Sequence, residues 1–196
     1  MRINKYLSLC GLGSRRKVEE LIVSGKIKIN GEIVRDLSID VDVERDCVEY
    51  GRKRVSPQEY TYLILNKPKG YITTASDDLG RQTVMDLIPP RLRKVGVVPV
   101  GRLDRDSEGL LLFTNDGDVA NALTHPRFEV EKCYEVVLDR PLDDETKSKI
   151  EAGVVLEGKK TGLARVKFLD QNRTRVSVRI HEGKKRHIRV AFQLFR

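Results

Sequence analysis

Three carboxylates crowded into one short segment give this chain its clearest opportunity for chemistry. Asp104, Asp106 and Glu108 lie within Gly101-Arg102-Leu103-Asp104-Arg105-Asp106-Ser107-Glu108-Gly109, directly ahead of Leu110-Leu111-Leu112-Phe113. The apolar run predicts a buried strand, so the acids would sit at its rim, on a rigid support and beside whatever binds there. Two other readings compete. A Gly-bounded charged stretch before a strand also makes an ordinary solvated turn. Alternatively, Asp104, Asp106 and Glu108 alternate, so an extended segment would face all of them one way and could hold Mg²⁺ for a nuclease. Arg102 and Arg105 partly neutralise such a set, and no further Asp or His cluster stands at ligand spacing. A chelator would separate the metal reading from a metal-free one.

Other elements must position that segment. Strands are expected at 60–65, 97–100, 110–114, 132–138, 164–168 and 175–180, and helices at 84–88, 119–123 and 145–152, the last capped by Asp143 or Asp144. Helices interspersed irregularly among these strands predict an α+β fold with a mixed, mainly antiparallel sheet. Ahead of it stands a smaller unit. Ile3, Tyr6 and Leu7 share a helical face, Gly11 to Gly13 break the helix, and Ser14 is placed to cap a second helix over 15–23. Gly25 ends that helix, 26–29 alternates as a strand, and Asn30-Gly31 is a hairpin turn into a return strand from Glu32. Arg15, Arg16 and Lys17 follow the Ser14 cap, where free N–H groups and cations together suit a phosphate. Pro57 marks a linker. The expected modules are therefore residues 1–50, a linker over 51–59, and residues 60–196.

Composition excludes several classes. With 196 residues, 39% of them hydrophobic, the chain can bury a core, and no apolar run is long enough to span a membrane. The N-terminus lacks a signal-peptide apolar stretch, so a cytoplasmic protein is expected. No membrane partner is expected, and the chain is taken to be a monomer. Cys10, Cys47 and Cys133 are too far apart for a disulfide framework or a Cys-x-x-Cys metal site. His125, His181 and His187 are too scattered for a metal set, and no metal is expected. Lys and Arg outnumber Asp and Glu by 37 to 29, a net charge of +8, which favours a nucleic-acid partner only weakly. Its clustering at 15–17, 52–54 and 184–186 carries more weight.

Gly101-Arg102-Leu103-Asp104 followed by Gly109-Leu-Leu-Leu-x-Thr-Asn-Asp-Gly117 resembles the catalytic motif of the RsuA-type ribosomal RNA pseudouridine synthases. Further segments match that family in order: Asn66-Lys67-Pro68-Lys69-Gly70, Lys132-Cys133-Tyr134, and Glu182-Gly183-Lys184-Lys185-Arg186-His187-Ile188-Arg189. The first unit resembles the αL RNA-binding module shared with a small-subunit ribosomal protein, through Arg2-Ile3-Asn4-Lys5-Tyr6-Leu7, Gly13-Ser14-Arg15-Arg16 and Ile29-Asn30-Gly31. The resemblance implies that Asp104 is the essential acid, that Tyr134 lies against the target base, and that Arg189 supports the acid's charge. Arg102 would fill the space of a nucleotide turned out of its stack. Lys67, Lys184, Lys185 and Arg186 are read as phosphate contacts, alongside Ser14, Arg15, Arg16 and Lys17. Family members continue past the closing motif through a helix into another strand, so an incomplete edge is expected where this chain stops at Arg196.

The implied reaction detaches uracil from ribose at N1 and rejoins it through C5. It involves no redox change and no net hydrolysis, so no cofactor is expected. A carboxylate can attack the ribose carbon or remove a neighbouring proton, and the residues do not choose between these routes. The implied partner is ribosomal RNA or a ribosome-assembly intermediate, with large-subunit RNA preferred. A small-subunit target, or a non-catalytic assembly factor, is the alternative.

Overall fold

The computed structural model describes residues 1–156, 158–181 and 186–194. By contacts the chain forms two compact units, Met1–Asn121 and Ala122–Arg196. This grouping does not coincide with the linker read at 51–59, because the first unit takes in both the small N-terminal module and the sheet that follows it.

In the first unit, α1 (Ile3–Leu9) and α2 (Arg15–Val23) precede strands β1 (Ile27–Ile29), β2 (Glu32–Val34), β3 (Val48–Tyr50) and β4 (Lys53–Arg54). The Ser14 side chain caps α2 as expected, accepting from Lys17 N–H at 3.3 Å. Val18, Leu21 and Ile22 recur at helical spacing and close a core with Ile3, Leu7, Ile27 and Val48. Asn30-Gly31 turns β1 into β2 with both residues at positive φ, and the sheet runs β2-β1-β3-β4, antiparallel throughout. Residues 55–58 pack back on this module. The Tyr6 hydroxyl donates to the Val55 carbonyl at 3.1 Å, and Gln58 N–H donates to the Leu9 carbonyl at 3.0 Å.

The second sheet of this unit carries the acid segment. β5 (Tyr62–Lys67) and β6 (Val98–Val100) flank a central β7 (Gly109–Thr114), all antiparallel. Period-two alternation turns Leu63, Leu65, Leu111 and Phe113 toward one core with Val84, Ile88 and Val97. The helix expected at 84–88 is a single 3₁₀ turn, Val84–Leu87. Thr83 and Asp86 form a reciprocal cap on it, and Pro89-Pro90 removes the N–H groups that would extend it. Pro90 instead opens α3 (Pro90–Lys94), absent from the sequence expectation. α4 (Gly117–Thr124) follows β7, its first amides held by the Asp116 carboxylate.

In the second unit, β8 (Lys132–Val137), β11 (Arg165–Phe168) and β12 (Arg175–Ile180) form an antiparallel sheet in the order β11-β12-β8. α5 (Asp144–Glu151) is capped by Asp143, which accepts from Thr146 N–H at 2.6 Å. The short hairpin β9 (Val155–Leu156) and β10 (Lys159–Lys160) was not expected, nor was α6 (His187–Gln193). Ile150, Val166, Val176, Val178 and Ile180 form the core here, and Tyr134, Ile188 and Phe192 pack against it. No described helix is long and apolar enough to cross a membrane.

Candidate active site

The alternation of β5 places residue 67 in phase with Leu63 and Leu65, on the face that points to the core. A lysine there has nowhere to snorkel, and Lys67 is fully buried at 0% exposure. Its ammonium donates to four main-chain carbonyls, those of Ser107 at 2.7 Å, Asp104 at 3.0 Å, Pro68 at 3.1 Å and Arg105 at 3.3 Å. An ammonium has only three protons, so one is shared. Burial pushes the pKa of Lys67 below the usual lysine value, against the opposing pull of the Asp106 and Asp104 carboxylates. Lys67 is therefore not a phosphate contact, which corrects the sequence expectation. Its charge is spent inside the protein, gathering the loop that carries Asp104.

That loop is folded, not extended. Ser107 N–H donates to the Asp104 carbonyl at 3.1 Å and closes a turn. Carbonyls 104, 105 and 107 converge on one ammonium, which an extended chain with its alternating carbonyls cannot arrange. The one-sided row of Asp104, Asp106 and Glu108 that the metal reading required is thus not formed. Glu108 lies 3.9 Å from the Lys69 ammonium, and among the described residues no three Asp, Glu, His or Cys side chains cluster as a metal set. Gly70 braces the loop from the side: its N–H donates to the Arg105 carbonyl at 2.8 Å, and Arg105 Nε donates back to its carbonyl at 3.3 Å. Thr73 bonds the Leu103 main chain. Gly109, at φ +129°, occupies a backbone region that L side chains avoid, and there the turn passes into β7. Asp104 itself is half-buried, and Arg102 is exposed beside it.

Tyr134 and Arg189 belong to the second unit. Tyr134 sits in the middle of β8 opposite Val178 of β12, with its ring against the apolar core. Arg189 is exposed on α6, whose Ile188 and Phe192 pack on that same core. The unit therefore seats Tyr134 and the helix bearing Arg189 on one apolar cluster. Arg186 is exposed and caps α6 at φ 54°. Lys184 and Lys185 lie outside the described residues. Two histidines are tied locally, His181 Nδ1 lying 2.6 Å from the Glu129 carbonyl and His125 Nδ1 accepting from Arg127 N–H at 3.2 Å, while His187 is buried.

A second feature concerns anions. Arg15, Arg16 and Lys17 are exposed in the first turn of α2, which contains no acidic residue. The positive end of the helix dipole disfavours cations there, so this arrangement is a liability unless an anion binds. Arg15 also borders an open depression with Arg2, Asn4 and Lys5.

Two families match parts of the chain. Residues 61–194 match the family described as RNA pseudouridylate synthase, and residues 1–46 match the S4 domain. An uncharacterized RNA pseudouridine synthase of Aquifex aeolicus strain VF5 is 43% identical over 190 residues, spanning 94% of this chain and 75% of that protein. The ribosomal large subunit pseudouridine synthase B of Bacillus subtilis strain 168 is 40% identical over 199 residues, spanning 98% of this chain and 79% of that protein. A crystal structure of a pseudouridylate synthase superposes with a TM-score of 0.67 at 28% identity, covering 100% of this chain and 83% of that one.

Replacing Lys67 by methionine keeps the side-chain length and strands the carbonyls. The expected outcome is a loss of about 3 kcal/mol in urea unfolding. A loss below about 1 kcal/mol would show the grip to be unimportant. Substituting Arg15 and Arg16 together by glutamine should shallow the slope of log RNA affinity against log salt by about 1.5. An unchanged slope in filter-binding titrations would remove these side chains from the RNA contact.

Proposed function

The chain belongs to the RNA pseudouridylate synthase family, and from that premise we propose that it isomerises one uridine of ribosomal RNA, with large-subunit RNA as the target. The observation that carries the proposal is the Lys67-centred loop, in which main-chain bonds at residues 103, 104, 105 and 107 fix the backbone around a single half-buried acid. A site that must hold a carboxylate against a ribose carbon needs such rigidity more than it needs further charged groups. The large-subunit preference draws on the name of the Bacillus subtilis relative. The modules we assign are residues 1–50 for RNA binding and 60–196 for the reaction, joined through 51–59.

Asp104 is the proposed catalytic carboxylate. It either attacks the ribose carbon as the N1 bond breaks or removes a neighbouring ribose proton. In the first route C5 then displaces Asp104 from the ribose carbon; in the second C5 bonds to that carbon as Asp104 returns the proton it took. In both, C5 gives up its own proton and N1 gains one, so atoms balance without any added reagent. Tyr134 is assigned to the freed uracil, against which its ring can stack while the base turns. Arg189 is assigned to support of the ionised carboxylate. A stacked uridine must first leave its helix, at a cost of a few kcal/mol, and Arg102 is the proposed occupant of the vacated space. Ser14, Arg15, Arg16, Lys17 and Arg186 are assigned to phosphates, which strengthen binding to many RNAs alike.

Asp104→Asn should lower turnover by about 10³-fold or more while RNA affinity stays within about threefold. Turnover is read as carbodiimide-dependent reverse-transcription stops on each unmodified ribosomal RNA. Substantial conversion by the variant would refute the role of the acid, and stops confined to small-subunit RNA would refute the target. Incubation with excess EDTA should leave the wild-type rate unchanged. Arg189→Ala should reduce kcat more than affinity, and a pure affinity loss would make that residue a phosphate contact only.

A further inference from the structure

We infer that Thr73 is a positioning residue for Asp104, fixing the chain just ahead of the acid through a single hydroxyl. The inference deepens the functional reading above, on which the kinetic half of its test rests. Thr73 is 5% exposed. Its Oγ1 donates to the Leu103 carbonyl at 2.8 Å and accepts from Leu103 N–H at 3.2 Å. Leu103 belongs to no strand or helix, so no ladder supplies these bonds, and one side chain satisfies both main-chain groups of the residue.

The spacing gives this contact its meaning. Residues 67, 70 and 73 step backward along the acid loop: Lys67 reaches Ser107, Gly70 reaches Arg105, and Thr73 reaches Leu103. Asp104 thus has a fixed neighbour on each side, Arg105 through Gly70 and Leu103 through Thr73. Thr73 is itself anchored from behind. Ile72 N–H donates to the Gln82 carbonyl at 3.0 Å, Val84 N–H donates to the Ile72 carbonyl at 3.0 Å, and Thr83 N–H donates to the Asp86 carboxylate at 2.7 Å. The base of the 74–82 loop is closed by these bonds, which tie the residue before Thr73 to the turn at 83–86. A hydroxyl that served folding alone would change stability. One that sets the acid must change turnover at constant affinity.

The test compares Thr73→Val, Thr73→Ser and Thr73→Cys in the full chain, at a temperature where circular dichroism shows each variant folded. Turnover on unmodified ribosomal RNA and amide hydrogen exchange across residues 102–107 are measured on the same preparations. Thr73→Val should lose about tenfold or more in kcat with KM within about twofold. Its Leu103 amide should exchange about tenfold faster or more. Thr73→Ser should restore both quantities to near the wild-type values. Thr73→Cys, a weak hydrogen-bonding replacement, should behave as valine does and takes its place if valine prevents folding. Either an unaltered kcat or an unaltered Leu103 exchange rate in Thr73→Val overturns the inference. So does a serine variant no better than valine, or a loss carried wholly by KM. Should the wild type form no pseudouridine, the functional reading falls, and the exchange comparison alone then decides whether the hydroxyl fixes the loop.

Discussion

A buried ammonium surrounded by carbonyls is the constraint on which the candidate site depends. Lys67 must lie in the core because the register of β5 puts it opposite Gly109 and in phase with Leu63 and Leu65. Once there, a positive charge is tolerated only if polar groups replace water around it. The carbonyls of the Asp104 loop are the groups that do so. Two requirements are met by one contact: the lysine is solvated by the loop, and the loop is folded by the lysine. The turn at 104–107, the half-burial of Asp104 and the failure of its three acids to line up all follow from that exchange.

Much of this was legible beforehand, for identifiable reasons. Leu110–Phe113 had to be a strand, though only Leu111 and Phe113 are buried in it and Leu110 is exposed, and the run of glycine and charge before it had to be a surface segment at its end. Ser14 ahead of a helical pattern was a sound cap, and Asn30-Gly31 a sound hairpin. The role of Lys67 was missed although the signal was present, since counting by twos from Leu63 along β5 brings the lysine inward. A lysine near a proline-glycine turn was instead read as a surface charge. The helix at 84–88 was misjudged because its apolar spacing is helical while Pro89-Pro90 cuts it to one turn. α3 and α6 are too short for periodicity to register, and the β9–β10 hairpin rests on a mere pair of residues per strand. The bonds of Thr73 were invisible in principle, because they join residues thirty positions apart through a single oxygen.

The N-terminal module shows the opposite bargain between stability and use. Its core is built from Ile3, Leu7, Val18 and Ile22 at ordinary helical spacing, and nothing in it is strained for chemistry. Its electrostatics are arranged against itself, with three cations gathered at the positive end of α2. Residues 1–46 match the S4 domain, and a polyanion bound at this helix end would turn the repulsion into affinity. The Lys5 ammonium, 2.5 Å from the Asp118 carboxylate at the start of α4, links the module to the sheet that carries the acid.

The grip on the acid loop is made to backbone oxygens, which every amino acid possesses. Arg105 and Ser107 could each be exchanged for another residue and still offer the same carbonyls to the lysine. The lysine's hold on the loop does not itself depend on which side chains border the acid, although the Arg105 guanidinium adds a bond to Gly70. A protein built this way can drift in the company its acid keeps, and so in the RNA it prefers, while the reacting oxygen stays put. Innovation at the surface carries no penalty at the hinge of the chemistry.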